Sequence, residues 1–147
     1  MAKLSSLRSD LSKEKDGVWV EFGEGVAFKI ARTRSPEFKN AIERMVKQYR
    51  RTHPRATTED MFANDEAARE QIAPHMAESL LLDWRNIDDD DGKAIPYSTG
   101  EAKKILVDPE LFDVFAFVLE QAGRSELYRR EDVEKDSGNF ESTSAGK

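Results

Sequence analysis

Cysteine is absent from the 147 residues, which excludes disulfides, thiolate zinc sites and cysteine nucleophiles. No apolar run approaches the roughly 18 residues that a membrane-spanning helix needs, so the chain reads as soluble. The opening Met1-Ala2-Lys3-Leu4-Ser5-Ser6 lacks the apolar stretch of an export signal, and cytoplasm is the expected compartment. No glycine-rich phosphate loop is present either: Gly23-Glu24-Gly25 has no third glycine and joins two apolar runs of strand character. His53 and His75 are the only histidines, and neither has a second ligand at helical spacing, so both read as polar residues rather than zinc ligands or general bases. The run Asp88-Asp89-Asp90-Asp91-Gly92 fails as a calcium loop. With Gly92 at the sixth position, Ile87 falls at the first and Ser98 at the twelfth, where acids are required. Serine nucleophile elbows are missing, and the many carboxylates lie on polar faces or in the acidic run. The expectation is a protein that is not an enzyme and carries neither metal nor cofactor.

What is present is enough for one core. Apolar residues make up 38% of the chain, and a domain of this size buries roughly 68–70% of its unfolded surface. Charge is split: residues 1–55 carry a net +6 and residues 56–147 a net −12, for −6 overall. Such asymmetry marks either an electrostatic partner surface or a molecule whose ends attract each other. The acidic bulk argues against nucleic-acid binding by the whole chain, since phosphate neutralisation supplies that affinity.

Residues 1–16 form a polar lead-in in which Leu4, Leu7 and Leu11 keep helical spacing. Val18-Trp19-Val20-Glu21-Phe22 and Val26-Ala27-Phe28-Lys29-Ile30 flank a glycine turn, which predicts a β-hairpin over 18–30. Alternation puts Val18, Val20 and Phe22 on one face, and a lone hairpin is marginal in water, so it must lie against helices or a partner's strand. Ser35-Pro36-Glu37 is a helix start, followed by the stripe Phe38, Ala41, Ile42, Met45 and Tyr49. Lys39, Arg44, Lys47, Arg50 and Arg51 fall on the opposite face, and His53-Pro54 ends the helix. A second helix from Thr57 or Thr58 carries Ala68, Ile72, Met76, Leu80 and Trp84 at four-residue spacing, with a kink or break expected at Pro74. Asn86 to Ala94 reads as an acidic loop. Ser98-Thr99-Gly100-Glu101 has the form of a capping box opening a helix through Leu106. Asp108-Pro109-Glu110 starts a helix to Ala122 that is apolar almost all round and so buried on more than one side, with Gly123 as its stop. Ser125 opens a last short helix with Leu127, Tyr128 and Val133. From Asp136 onward only Phe140 is large and apolar, which predicts a disordered tail over 136–147. The fold class expected is mainly α: a single small helical domain over 17–135 with an N-terminal hairpin.

The order of these features is more specific than any one of them. Leu82-Asp83-Trp84-Arg85-Asn86-Ile87, the Asp-rich turn with Gly92, Ile95-Pro96-Tyr97-Ser98, then Ile105-Leu106-Val107-Asp108-Pro109 and a final apolar helix follow one another. Together with Trp19-Val20-Glu21-Phe22 and Ser35-Pro36-Glu37-Phe38, this series over residues 17–130 resembles the tail assembly chaperones of long-tailed (siphovirus-type) bacteriophages. One departure is Gly123, where that family commonly has an alanine-asparagine pair.

The resemblance implies a non-catalytic protein of the host cytoplasm, absent from the mature virion. It would coat the apolar tape-measure protein, keep it soluble, and release it as the tail tube polymerises. It also implies a second, longer product made by programmed ribosomal frameshifting, through which the major tail protein is recruited. Gly146-Lys147 is compatible with a slippery site of that kind. A tape-measure helix needs its apolar stripe shielded, which a helix-in-groove mode would supply. Trp84, Tyr97, Phe112, Phe115 and Leu119 are the candidate groove residues, and ordinary core is the competing reading for each. Self-association is a further expectation. Two alternatives remain from the residues alone: a structural virion protein such as a head–tail connector or tail terminator, and a small nucleic-acid-binding regulator using the basic segment 34–55.

Overall fold

The computed structural model describes residues 3–130. The expected tail over 136–147 and Val133 therefore lie outside the described residues.

Helix starts follow the local chemistry of their caps. Helix α1 spans Leu4–Leu7 and α2 Leu11–Asp16, the latter capped by the Asp10 carboxylate, which accepts from Ser12 N and Lys13 N. The hairpin consists of β1, Val18–Gly23, and β2, Val26–Ile30. Its turn needs left-handed backbone at Glu24 (φ 55°) and Gly25 (φ 81°), which the glycine adopts without a Cβ penalty. Helix α3, Pro36–Tyr49, starts at Ser35, whose hydroxyl accepts from Phe38 N at 3.2 Å. Helix α4, Thr58–Asn64, opens with a complete capping box. Asp60 N donates to Thr57 Oγ1 and Thr57 N to the Asp60 carboxylate, which holds that carboxyl below its usual range.

The expected long helix ending at Trp84 is not one element. Helix α5, Glu66–His75, is capped afresh by Asp65, so the first break comes at 65 rather than at Pro74. Pro74 stays inside α5, and the chain then widens into a π-helical turn, Met76–Leu80. A proline cannot donate to the carbonyl four residues back and crowds it, and a widened turn just beyond is one way to absorb the misfit. Leu81–Arg85 is then a strand, β3, not a helical turn. It pairs antiparallel with β2 (Phe28 opposite Trp84, Ile30 opposite Leu81), and the register shift between these pairs leaves Leu82 as a bulge. Ala31 N donates to Leu80 O at 2.8 Å, so the sheet begins where the widened turn ends. The free edge of β2 offered a full set of hydrogen bonds, and that tertiary demand overrode a helical spacing which Leu80 and Trp84 satisfy in either state.

The sheet order is β1-β2-β3, all antiparallel. The remaining elements are α6, Thr99–Val107, a 3-10 turn Pro109–Leu111, α7, Phe112–Ala122, and a 3-10 turn Ser125–Tyr128. Two expectations at these ends need correction. Ser98 caps α6 by accepting from Glu101 N, but the Glu101 carboxylate pairs with Lys104, so only half of a capping box forms. Asp108-Pro109-Glu110 starts a 3-10 turn, and the α-helix proper begins at Phe112. Gly123 does end α7, with right-handed backbone (φ −96°) rather than the left-handed cap that glycine often supplies.

One core joins all layers. The inner face of the sheet aligns Val20, Phe28 and Trp84 across its three strands. Phe117 of α7 meets Phe22 edge-on at 5.1 Å and lies 6.2 Å from Phe28. On another side of α7, Phe115 is fully buried against Phe62 of α4 at 5.0 Å. The all-round apolar helix is thus buried on two sides within the monomer. The architecture is mainly α, with the expected hairpin extended by a third strand.

The N-terminal lead-in is two short helices pinned at both ends of the domain. Glu14 is buried and receives Arg34 Nε at 2.7 Å, Arg34 Nη2 at 2.7 Å, Arg32 Nη1 at 3.0 Å and the Ser9 hydroxyl. The Arg34 guanidinium above all holds the Glu14 carboxyl down to about 2, against an opposing push from burial. Asp10 N donates to Tyr128 O (2.6 Å) and Arg130 N to Arg8 O (2.9 Å), joining residues 8–10 to residues 128–130. Tyr128 is fully buried, its hydroxyl donates to Ile30 O at 3.0 Å, and burial pushes its phenol up to about 12.

Candidate partner-binding cleft

The five groove candidates divide into two groups. Phe112, Phe115 and Leu119 converge on a cleft between α4 and α7, together with Phe62, Ala116 and Thr58, and Glu59 and Glu120 stand at its rim. Their placement follows from helical spacing: Phe112, Phe115, Ala116 and Leu119 recur at three- and four-residue intervals on one face. Phe112 stacks on Phe115 at 5.8 Å and 22°. Phe115 forms the closed floor, whereas Phe112 and Leu119 remain half-buried and Leu111, just before α7, is 38% exposed. The cleft holds about 180 Å3, below the ~300–1,000 Å3 of small-molecule sites. That volume suits one or two apolar side chains of a protein partner better than a free ligand.

Trp84 and Tyr97 lie elsewhere and are engaged inside the fold. Trp84 is 5% exposed, and its indole Nε1 donates to Ile95 O at 2.8 Å. Tyr97 meets it edge-on at 5.0 Å. The Tyr97 hydroxyl donates to Leu81 O at 2.6 Å and lies 3.1 Å from Ala77 O, the carbonyls where the π-helical turn passes into β3. Burial raises the Tyr97 phenol above its ordinary value. Both polar tips are therefore spent on fixing the junction and the loop that follows β3. They do not line the α4–α7 cleft.

The basic segment is smaller than its sequence suggests. Arg32 and Arg34 face Glu14 and do not extend the α3 surface. Lys39, Arg44, Lys47, Arg50, Arg51 and Arg55 are exposed, and Arg50 Nε donates to Ala56 O. Phe38 and Tyr49 lie on the buried side of α3, stacked on His75 (4.3 Å) and His53 (4.1 Å) respectively, which gives each histidine an aromatic partner. Val46 joins the buried stripe of α3.

Sequence reasoning missed Arg69, which lies beside the cleft, and Glu14 and Leu82, which organise the fold away from it. Glu14 gave no signal of its own, because its arginine partners are 18 and 20 residues away. Arg69, on α5, likewise gave no signal. It is 3% exposed, with Nη1 donating to Phe62 O (2.5 Å) and Ala63 O (3.3 Å) at the C-terminal end of α4. A cation on the last carbonyls of a helix is favourable, and here it also fixes α4 beside the cleft. Leu82, the bulged residue of β3, had no signal that distinguished it from its neighbours.

Fold and cleft define a small, mainly helical domain on a three-stranded antiparallel sheet, with one open apolar face on α7. The chain belongs to the YdaY prophage protein family, whose family model matches residues 33–139. The match takes in α3 to α7, β3 and the cleft, and begins after the hairpin. It is a phage-derived chain. No curated protein and no solved structure matches it. Among the described residues no helix is long and apolar enough to cross a membrane.

Proposed function

We propose that this prophage protein is a tail assembly chaperone that binds the tape-measure protein without turnover and keeps it soluble until the tail tube assembles around it. The observation that supports this reading most is the α4–α7 cleft, where Phe112, Phe115 and Leu119 meet Phe62 under an acidic rim. An amphipathic helix would insert apolar side chains there while Glu59 and Glu120 meet basic residues beside its stripe. Prophage family membership agrees with a role in particle assembly. The major tail protein enters this scheme through a frameshift-extended product. The site of action is the host cytoplasm.

Co-expression with the tape-measure protein encoded by the same prophage tests the reading. The expected result is a tape-measure protein recovered in the soluble fraction with this chain and in the pellet without it. Equal recovery in both would overturn the proposal. A head–tail connector or tail terminator would instead be found in purified particles, where a chaperone is absent.

A further inference from the structure

The outer surface carries opposite charges in two places that never meet within one molecule. A groove of about 490 Å3 runs between α3 and the α4–α5 corner, with an apolar floor of Met45, Met61 and Ala68 and a rim that includes Arg44 and Arg51. Neither arginine has an ion-pair partner among the described residues. The second place is the turn Asp88–Gly92, which leaves the end of β3 beside the hairpin turn, where Asn86 Nδ2 donates to Gly25 O at 2.7 Å. Asp88, Asp90 and Asp91 are exposed there and likewise lack an ion-pair partner.

From this juxtaposition we infer that copies of the chain associate head to tail, the acidic turn of one copy entering the cation-rimmed groove of the next. Shape and rigidity favour this occupant. The Asp89 carboxylate accepts from Asp91 N and Lys93 N, both at 2.9 Å, and Asp89 N donates to Lys93 O at 2.7 Å. Ile95 N closes the base of the turn on Ile87 O at 2.8 Å, and Trp84 holds Ile95 from beneath. The turn is therefore preformed with its free carboxylates outward, so little freedom is lost on docking. Because groove and turn are different surfaces, the contact is heterologous and can repeat from copy to copy.

Exposed charge pairs are individually weak and screened by salt, so the association is strongest at low ionic strength. Sedimentation velocity on the full chain at about 0.01 M and about 1 M salt, Debye lengths of roughly 30 and 3 Å, is the test. The wild type should gain mass with concentration at low salt and remain monomeric at high salt. Arg44→Glu with Arg51→Glu, and separately Asp90→Lys with Asp91→Lys, should each abolish the gain. Mixing the two variants should restore association with the copies alternating, since the wild-type turn of one matches the wild-type groove of the other and the two reversed surfaces are complementary as well. Thermal melting confirms that each variant is folded, and the single changes Arg51→Glu and Asp90→Lys replace any pair that is not. A wild type monomeric at low salt, a variant that associates like the wild type, or folded variants whose mixture shows no association overturns the inference. So does a monomeric wild type that binds a single-stranded oligonucleotide through Arg44 and Arg51.

Discussion

Two clusters of large side chains, side by side in the sequence argument, have opposite fates in the fold. Trp84 and Tyr97 each carry a polar tip, and each tip is satisfied by a backbone carbonyl: Ile95 O for the indole, Leu81 O for the phenol. Phe112, Phe115 and Leu119 have no such handle: Phe115 is buried as the floor of the cleft, and Phe112 and Leu119 stand half-buried over it. A buried polar tip ties a side chain to one place, because leaving it unpaired is costly. A purely apolar side chain can stand half-covered and be completed by a partner. The difference separates Trp84 and Tyr97, tied into the fold, from Phe112 and Leu119, left half-covered at the cleft, and it was invisible to spacing alone.

The sharpest way to break this comparison is Trp84→Ala. Loss of the indole should cost ~3–5 kcal/mol in chemical or thermal denaturation, since it empties a closed site beside Phe28 and Tyr97. At a temperature where the variant remains folded, capture of the tape-measure protein should be unchanged. Tyr97→Phe comes next. It keeps the ring and strands the carbonyls at the π-turn junction, for an expected loss of about 1–3 kcal/mol with binding again intact. Phe112→Ala should do the reverse. The ring is half-buried, so stability should fall by about 1 kcal/mol while tape-measure capture is lost. If Phe112→Ala binds normally and Trp84→Ala does not, the two clusters have been assigned the wrong way round.

A control that touches neither cluster is Glu14→Gln. The folded-state carboxyl lies at about 2 against an ordinary 4.5. A lowered folded value contributes stability that is whole above pH ~4.5 and fades as the pH falls towards 2. Denaturation midpoints between those limits should therefore fall less steeply with acid in the variant than in the wild type. An identical acid slope would mean that the Arg34 contact does not form in solution.

How much of this was legible in the chain depended on the range of the interaction. The caps at Ser35, Thr57, Ser98 and Asp108 are contacts within two or three residues, and each forms. The hairpin with its glycine turn is equally local. β3 was hidden because Ile72, Met76, Leu80 and Trp84 keep helical spacing, and a strand buries Leu81 and Trp84 just as well. Only the need of a lone hairpin for a neighbour hinted at it. The Glu14 site was hidden by distance along the chain, its arginines being drawn in by β2 and the loop after it. Of the candidate cleft, the three α7 residues were legible from periodicity. Phe62 and Arg69 were not, since nothing in the sequence says which helix will cross α7.

Hydrogen exchange of the full chain with and without a soluble tape-measure segment tests the account most directly. The account predicts slowed exchange in α4 and α7, around Phe62 and from Phe112 to Glu120, with the strand carrying Trp84 unchanged. Protection confined to β3 and the loop through Tyr97, or no protection anywhere when the segment is bound, would contradict it.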